Sequence, residues 1–347
     1  MNRTWRVAQA AALLGLIGAM VALVVAPALG LRVVWSAAVP VLPAVFLLSP
    51  ALWRNICPLA TLGTGGVPVT PLSTAERRAR LMADLPGSSG RSEERPVAPA
   101  PPASSRALAT IHASAGQRAH HVAIARANAA GIALLLLLLP ARRLLLNESA
   151  AATLALVAGA GLAAWALGRR GERKAGFCNG LCPVLPVERL YGQAPFVAPG
   201  NPRCQPCTVC TTRGCLDLAG RKAVAQVLGP ARRTRAWLRE PFGAFAAAFP
   251  GLVAAYGLAP VLAPHPMATA ALFLALGALS WLVMLALAVG FRLPSAALVP
   301  ACAAAAAALY YWFAGPDIGR AWGLPELGPV VRVAGLGVVG AWVVARR

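Results

Sequence analysis

Residues 149–183 read SAAATLALVAGAGLAAWALGRRGERKAGFCNGLCP. The first twenty, 149–168, are uncharged and mostly apolar, which is the length an α-helix needs to cross a bilayer, about 20 residues. A basic border follows, with Arg169, Arg170, Arg173 and Lys174. Then come Cys178 and Cys182, with three residues between them and Pro183 directly after the second. A membrane span, a charged edge and a pair of thiols thus stand in immediate succession, and the rest of the chain repeats these three ingredients.

Working outward, apolar runs of spanning length recur at roughly 7–29, 33–52, 122–140, 149–168, 242–263, 268–291, 294–314 and 327–344. The last is interrupted by Arg332 and several glycines. Of the 347 residues 58% are hydrophobic and 12% charged, with a mean hydropathy of +0.65, whereas soluble domains carry about 25% charged residues. The expected fold is an all-α polytopic membrane protein with about eight transmembrane helices. The first run, Val7 to Leu29, reads as a retained helix; it is Ala-rich throughout, so an Ala-x-Ala match has no weight as a cleavage signal.

Charge sets the orientation. The formal net charge is +21, carried by thirty Arg and two Lys. Arg54, Arg77, Arg78, Arg80, Arg91, Arg95, Arg106 and Arg118 fall in the connector after the second span, and thirteen further basic residues fall between 169 and 239. The alternate loops hold only Arg32, the pair Arg142-Arg143, and Arg320. Excess Arg marks the cytoplasmic side, so both termini and both long connectors are expected there. A basic nucleic-acid-binding domain is disfavoured, because no folded basic segment with interleaved aromatics exists. The chain divides into a first helix pair (1–53), a connector (54–121), a second helix pair (122–168), a cysteine-rich connector (169–241) and C-terminal helices (242–347). In the first connector, 76–85 suits a short amphipathic helix, and the Pro- and Gly-rich stretches 86–90 and 96–102 read as linker. In the second, 219–238 suits a basic amphipathic helix lying on lipid as an anchor.

Six of the eight cysteines fall between Phe177 and Leu216. Cys204, Cys207 and Cys210 form a C-x2-C-x2-C run, with Cys215 five residues on. Disulfides are disfavoured in a cytoplasmic loop. Paired C-x-x-C motifs suit zinc, whereas three cysteines at this spacing wrap one backbone around a corner of an iron–sulfur cubane. The ferredoxin run ends C-x3-C-P; here the last spacing is C-x4-C and Leu216 replaces the proline. Cys57 stands in Trp53-Arg54-Asn55-Ile56-Cys57-Pro58, the frame of Cys178-x3-Cys182-Pro183 with Trp53 in place of the first cysteine. Each element follows an even-numbered span, which reads as an internal repeat.

These motifs, over roughly residues 30–218, resemble the membrane-bound polyferredoxins of the NapH, NosR and FixG type. The resemblance implies a multi-pass protein of the bacterial cytoplasmic membrane with a cytoplasmic ferredoxin-like loop. It implies one or two 4Fe-4S clusters and electron transfer between the quinone pool, or a cytoplasmic donor, and a redox partner protein. On that reading the chain is a non-catalytic electron-transfer subunit. Candidate ligands are Cys57, Cys178, Cys182, Cys204, Cys207, Cys210 and Cys215, one fewer than two cubanes need. One arrangement is a single cluster on Cys204, Cys207, Cys210 and either Cys215 or a Cys-Pro cysteine. Another adds a second cluster on Cys57, Cys178, Cys182 and Cys215. A zinc-stabilised transporter or assembly factor, and a membrane redox or metal sensor, remain the alternatives.

Other residues carry less. Cys302, in an alanine run, is expected to pack. His112, His120, His121 and His265 form no facing pair for haem. Arg332 is a charge near the membrane interior, either functional or paired with Asp317, Glu326 or its helix start. Tyr310, Tyr311, Trp312 and Phe313 read as an interfacial belt ending the seventh span. No Ser/His/Asp set, phosphate-cradling loop or paired carboxylates occur, and eleven acids in the chain disfavour a proton pump, which needs intramembrane carboxylates.

Overall fold

A computed structural model describes residues 3–64, 129–178, 180–192, 195–197, 234–263 and 265–345, with backbone only for 171–175. The described residues contain helices and no strands, and eight helices are long and apolar enough to cross a membrane. These are, in order, Arg3–Val25, Pro27–Leu48, Ala129–Leu146, Ala150–Arg170, Pro241–Leu262, Pro266–Gly290, Ser295–Trp322 and Leu327–Val344. The protein is an all-α, multi-pass membrane protein.

Local sequence explains where these helices begin and end. Proline opens the second, fifth and sixth spans at their first turn, where its missing N–H has no intrahelical role. The Ser149 hydroxyl accepts from the Ala152 N–H at 3.2 Å and caps the fourth. Gly323 ends the seventh in the left-handed conformation, φ 68°, which favours glycine. Several limits differ from the apolar runs. The seventh span continues to Trp322, and Arg32, Arg142, Arg143 and Arg320, expected in loops, all lie inside helices near span ends. Helices run on through the interface, where long cationic side chains reach water, so apolar runs understate their length.

The fifth span is the centre of the bundle: 56% of its apolar window is buried, against 11% for the first span. It packs on the sixth and seventh spans, and the seventh on the eighth. The approach to the sixth is backbone to backbone, since a Cβ on Gly251 would overlap the Leu276 carbonyl. Small residues permit such contact in membranes, where helices associate by packing. One continuous core joins these spans to Phe46 and Leu47 of the second, Ile132 of the third, and Trp237 and Leu238. Large apolar side chains such as Leu14, Val25, Val261 and Met267 are exposed and meet lipid.

Two sequence expectations are corrected in this core. The aromatic group 310–313 does not end the seventh span, which continues to Trp322, and Tyr311 is not part of an exposed belt. Tyr311 is buried, and its hydroxyl is inserted into the second span, accepting from the Ala44 N–H (2.9 Å) and donating to the Pro40 carbonyl (3.3 Å). Pro43 interrupts the ladder at this turn, and a neighbouring side chain re-satisfies the backbone, as polar groups must be inside a bilayer. Tyr311→Phe is expected to lower unfolding stability in detergent by about 1 kcal/mol, measured against wild type. Arg332 pairs with none of its expected partners: its guanidinium covers the Trp312 ring (4.2 Å to the centroid) and donates to the Trp312 carbonyl at 3.1 Å, while Asp317 pairs with Arg320. Cys302 is fully buried in the core among alanines, a packing position.

The stretch 219–238 is described only from Thr234. Its end does not lie on lipid: Thr234–Trp237 is a short helix, and Trp237 and Leu238 are fully buried. Thr234 donates to the Leu293 carbonyl (2.8 Å), and Trp281 Nε1 donates to the Leu238 carbonyl (3.1 Å). The end of this stretch is thus anchored in the bundle core, where Trp237 and Leu238 pack, and 219–233 lie outside the described residues. The stretch 76–85 lies outside the described residues.

Candidate metal centre

Both Cys-Pro elements sit where a span gives way to short helices. The second span stops at Leu48, where Ser49 turns extended (φ −169°, ψ 116°) and Pro50 restarts the chain as Pro50–Ile56. Cys57 ends this helix in non-helical geometry, and Pro58 opens the next, Pro58–Thr64. After the fourth span, Arg173–Cys178 brings the chain to a tight turn in which the N–H groups of Gly180, Leu181 and Cys182 all donate to the Phe177 carbonyl (2.9–3.2 Å). Pro183 follows, then the helix Leu185–Tyr191. The two elements share an order: helix, cysteine, proline, short helix.

The structure brings them together. Cys57, Ala60, Ala164, Phe177 and Cys178 form one buried cluster, with Cys182, Trp53, Leu59 and Leu167 packed against it. Cys57 and Cys178 are each 8% exposed and Cys182 is half-buried. Trp53, which occupies the place of Cys178 in the repeat, therefore lies against the same cluster. All four described cysteines carry thiols rather than disulfides. Cys204, Cys207, Cys210 and Cys215 lie outside the described residues, as do His112, His120 and His121. His265 is exposed at the start of the sixth span.

Packing between the elements fixes these positions. The helix Pro58–Thr64 lies along the fourth span, and a Cβ on Gly168 would overlap the Gly63 carbonyl. Gly131, at the start of the third span, faces the Cys182 carbonyl and Pro186. From the first span, Gln9 Nε2 donates to the Asn55 carbonyl at 3.1 Å. The N–H groups of Phe196 and Val197 donate to the Leu47 and Leu48 carbonyls (3.3 and 3.0 Å), so the chain re-crosses the end of the second span. Gly168→Leu is expected to force Pro58–Thr64 off the fourth span, lowering stability by about 1–3 kcal/mol. It should also expose Cys57 to maleimide labelling, which wild type resists.

An ion pair latches the two elements. Arg54 Nε lies 2.8 Å from Glu188 Oε1, with side-chain exposures of 3% and 5%. Sequence reading counted Arg54 and Arg189 only as connector charges; both are buried. They are buried because the short helices fold back into the bundle, where Leu185, Leu190 and Tyr191 supply the apolar contact. The signal was present in the sequence: Glu188 is one of few acids, and Arg54 lies one turn before Cys57.

Electrostatics reflect this crowding. Burial, followed by Cys57 and Glu188, pushes the Cys182 thiol up to about 12, with the Val184 N–H and Arg54 pulling the other way. Bound metal charge inverts this balance, since a coordinating thiol is deprotonated. The donors fit a thiolate-bound centre in kind: three soft sulfur ligands at the end of a rigid bundle. Among the described residues, no three His, Cys, Asp or Glu side chains converge as a set for one metal ion.

No family model matches the chain, and the searches of curated proteins and of solved structures find no significant match. Any likeness to membrane polyferredoxins therefore rests on the cysteine motifs and their placement.

Proposed function

We propose that this protein is an integral-membrane electron carrier that holds 4Fe-4S clusters at one end of its helical bundle. The observation that supports this best is the packing of Cys57 with Cys178 and Cys182. The two Cys-Pro elements are more than a hundred residues apart in sequence, yet they share one buried cluster at the same membrane end. Three thiols packed at one end of the bundle, with the ferredoxin-like run Cys204, Cys207 and Cys210 in the same connector as Cys178 and Cys182, support cluster ligation.

In this reading Cys57, Cys178 and Cys182 hold one cluster with Cys215, and Cys204, Cys207 and Cys210 hold a second, completed by a ligand other than cysteine. Such clusters supply one-electron transfer. The chain's own residues set the environment. Phe177, Ala164, Leu59 and Trp53 exclude water from the thiols. The Val184 N–H donates to the Cys182 sulfur, and hydrogen bonds to sulfur and burial are the means by which a protein tunes cluster potential. The Arg54–Glu188 pair holds both cysteine elements in register. The site faces the cytoplasm, the membrane is the bacterial cytoplasmic membrane, and the electrons pass between quinone or a cytoplasmic donor and a partner oxidoreductase; these assignments follow from the Arg distribution and the motif resemblance.

The reading is tested by spectroscopy on anaerobically purified full-length protein. Broad visible absorption that bleaches with dithionite, together with a paramagnetic signal in the reduced state, is the expected result. A colourless protein that gives no reduced-state signal contradicts it.

A further inference from the structure

At the membrane end opposite the cysteines lies a cavity of about 600 Å³. Arg32 and Trp35 of the second span, Arg142 and Arg143 of the third, Tyr256 of the fifth and Tyr310 of the seventh line it. Arg142 is held rigidly. Its guanidinium is sandwiched between the Trp35 and Tyr256 rings, 4.6 and 4.8 Å from their centroids. It also donates to the Trp35 carbonyl (3.2 Å) and to Asn147 Oδ1 (3.3 Å), and Asn147 in turn donates to the Tyr256 hydroxyl (2.7 Å). Aromatic faces and neutral acceptors orient this cation without cancelling its charge.

The cavity is strongly cationic. Asp317 is the one acid among its lining residues, and it pairs with Arg320 at the rim. Among the described residues no carboxylate pairs with Arg32, Arg142 or Arg143. Arg142 and Arg143 are half-buried and Arg32 is exposed beside them, so positive charge lines a partly desolvated space, which favours an anion there. Val253, Phe313 and Ile318 form apolar wall below the guanidinium groups. Two π-helical turns, Val34–Ala38 and Arg142–Leu146, border the space, and such turns recur at functional sites. A site with one fixed guanidinium, two further Arg side chains and an apolar wall fits an amphiphile whose headgroup is an oxyanion, because Arg binds phosphate bidentately. A neutral carbonyl headgroup such as a quinone leaves the three charges uncompensated.

We propose that this cavity binds the phosphate headgroup of an anionic phospholipid, with its acyl chain along the apolar wall. The proposal stands independently of the metal centre. The experiment compares wild type, Arg32→Gln/Arg143→Gln, and Arg235→Gln as a basic-residue control far from the cavity. Delipidated full-length protein in detergent receives phosphatidylglycerol, phosphatidylcholine, decylubiquinone or inorganic phosphate, and thermal unfolding is followed. Phosphatidylglycerol is expected to raise the midpoint for wild type and the control, and to need at least about tenfold more lipid for the double variant. Protection by inorganic phosphate alone overturns the lipid assignment in favour of a soluble anion. Protection by phosphatidylcholine or decylubiquinone equal to that by phosphatidylglycerol, or undiminished phosphatidylglycerol protection of the double variant, overturns the oxyanion site itself. If the double variant fails to fold, native mass spectrometry of wild type decides. Phosphatidylglycerol retained in preference to phosphatidylcholine supports the site, and equal retention overturns it.

Discussion

Cys57→Ala is expected to lose roughly half of the protein's iron and acid-labile sulfide, because in the proposed arrangement it removes one thiolate from one of two clusters. On the proposed reading, the iron that remains would be held by the run Cys204, Cys207 and Cys210. Cys302→Ala, at a fully buried packing position in the core, should leave the iron content unchanged. Cys178→Ala and Cys182→Ala are expected to match Cys57→Ala, because all three belong to one packed cluster. Cys57 is a small buried group, so its truncation to Ala deletes one sulfur with little loss of packing volume, and the protein should still purify as a folded bundle. Full iron retention in Cys57→Ala would make it a packing residue and reduce the centre to the downstream connector.

The second large effect belongs to the latch. Glu188→Gln removes the carboxylate that pairs with the buried Arg54 Nε, and removing one partner of a buried ion pair costs about 3–5 kcal/mol. Unfolding in detergent should move by that amount, and Cys57 and Cys182 should become accessible to maleimide together, because the pair joins their two elements. Arg54→Met/Glu188→Leu, which removes both charges and keeps the volume apolar, is expected to recover most of the stability. Equal losses in the single and double variants would show that the pair acts through shape alone.

Much of this was legible in sequence, and the reasons are physical. A bilayer demands about 20 apolar residues for each crossing, so eight runs announced eight spans, down to the glycine-rich last one. The Cys-x3-Cys-Pro frame announced a repeat, because Cys57-Pro58 stands in the same relation to its preceding span as Cys182-Pro183 does. The short helices Pro50–Ile56, Pro58–Thr64 and Leu185–Tyr191 were not legible. Each is about two turns long, too short for a helical period to show, and Pro50–Ile56 and Leu185–Tyr191 carry charges that read as connector. Their burial depends on tertiary partners: Glu188 for Arg54, Gly63 for Gly168, Pro50 for Gly192. Tyr311 was missed for a related reason. Its position beside other aromatics suits a membrane interface, and only the interrupted ladder at Pro43 in a distant helix gives its hydroxyl a buried partner. The cationic cavity was split in sequence between separate spans, since Arg32, Arg142 and Tyr256 approach one another only in the folded bundle.

Everything proposed for the cysteines turns on what they hold. Iron, acid-labile sulfide and zinc should be quantified together in one anaerobically purified sample of the full chain. The account predicts iron and sulfide in equal amounts, roughly four per cluster and two clusters per chain, with zinc well below one per chain. Stoichiometric zinc without sulfide would contradict it and make the cysteine elements a structural site.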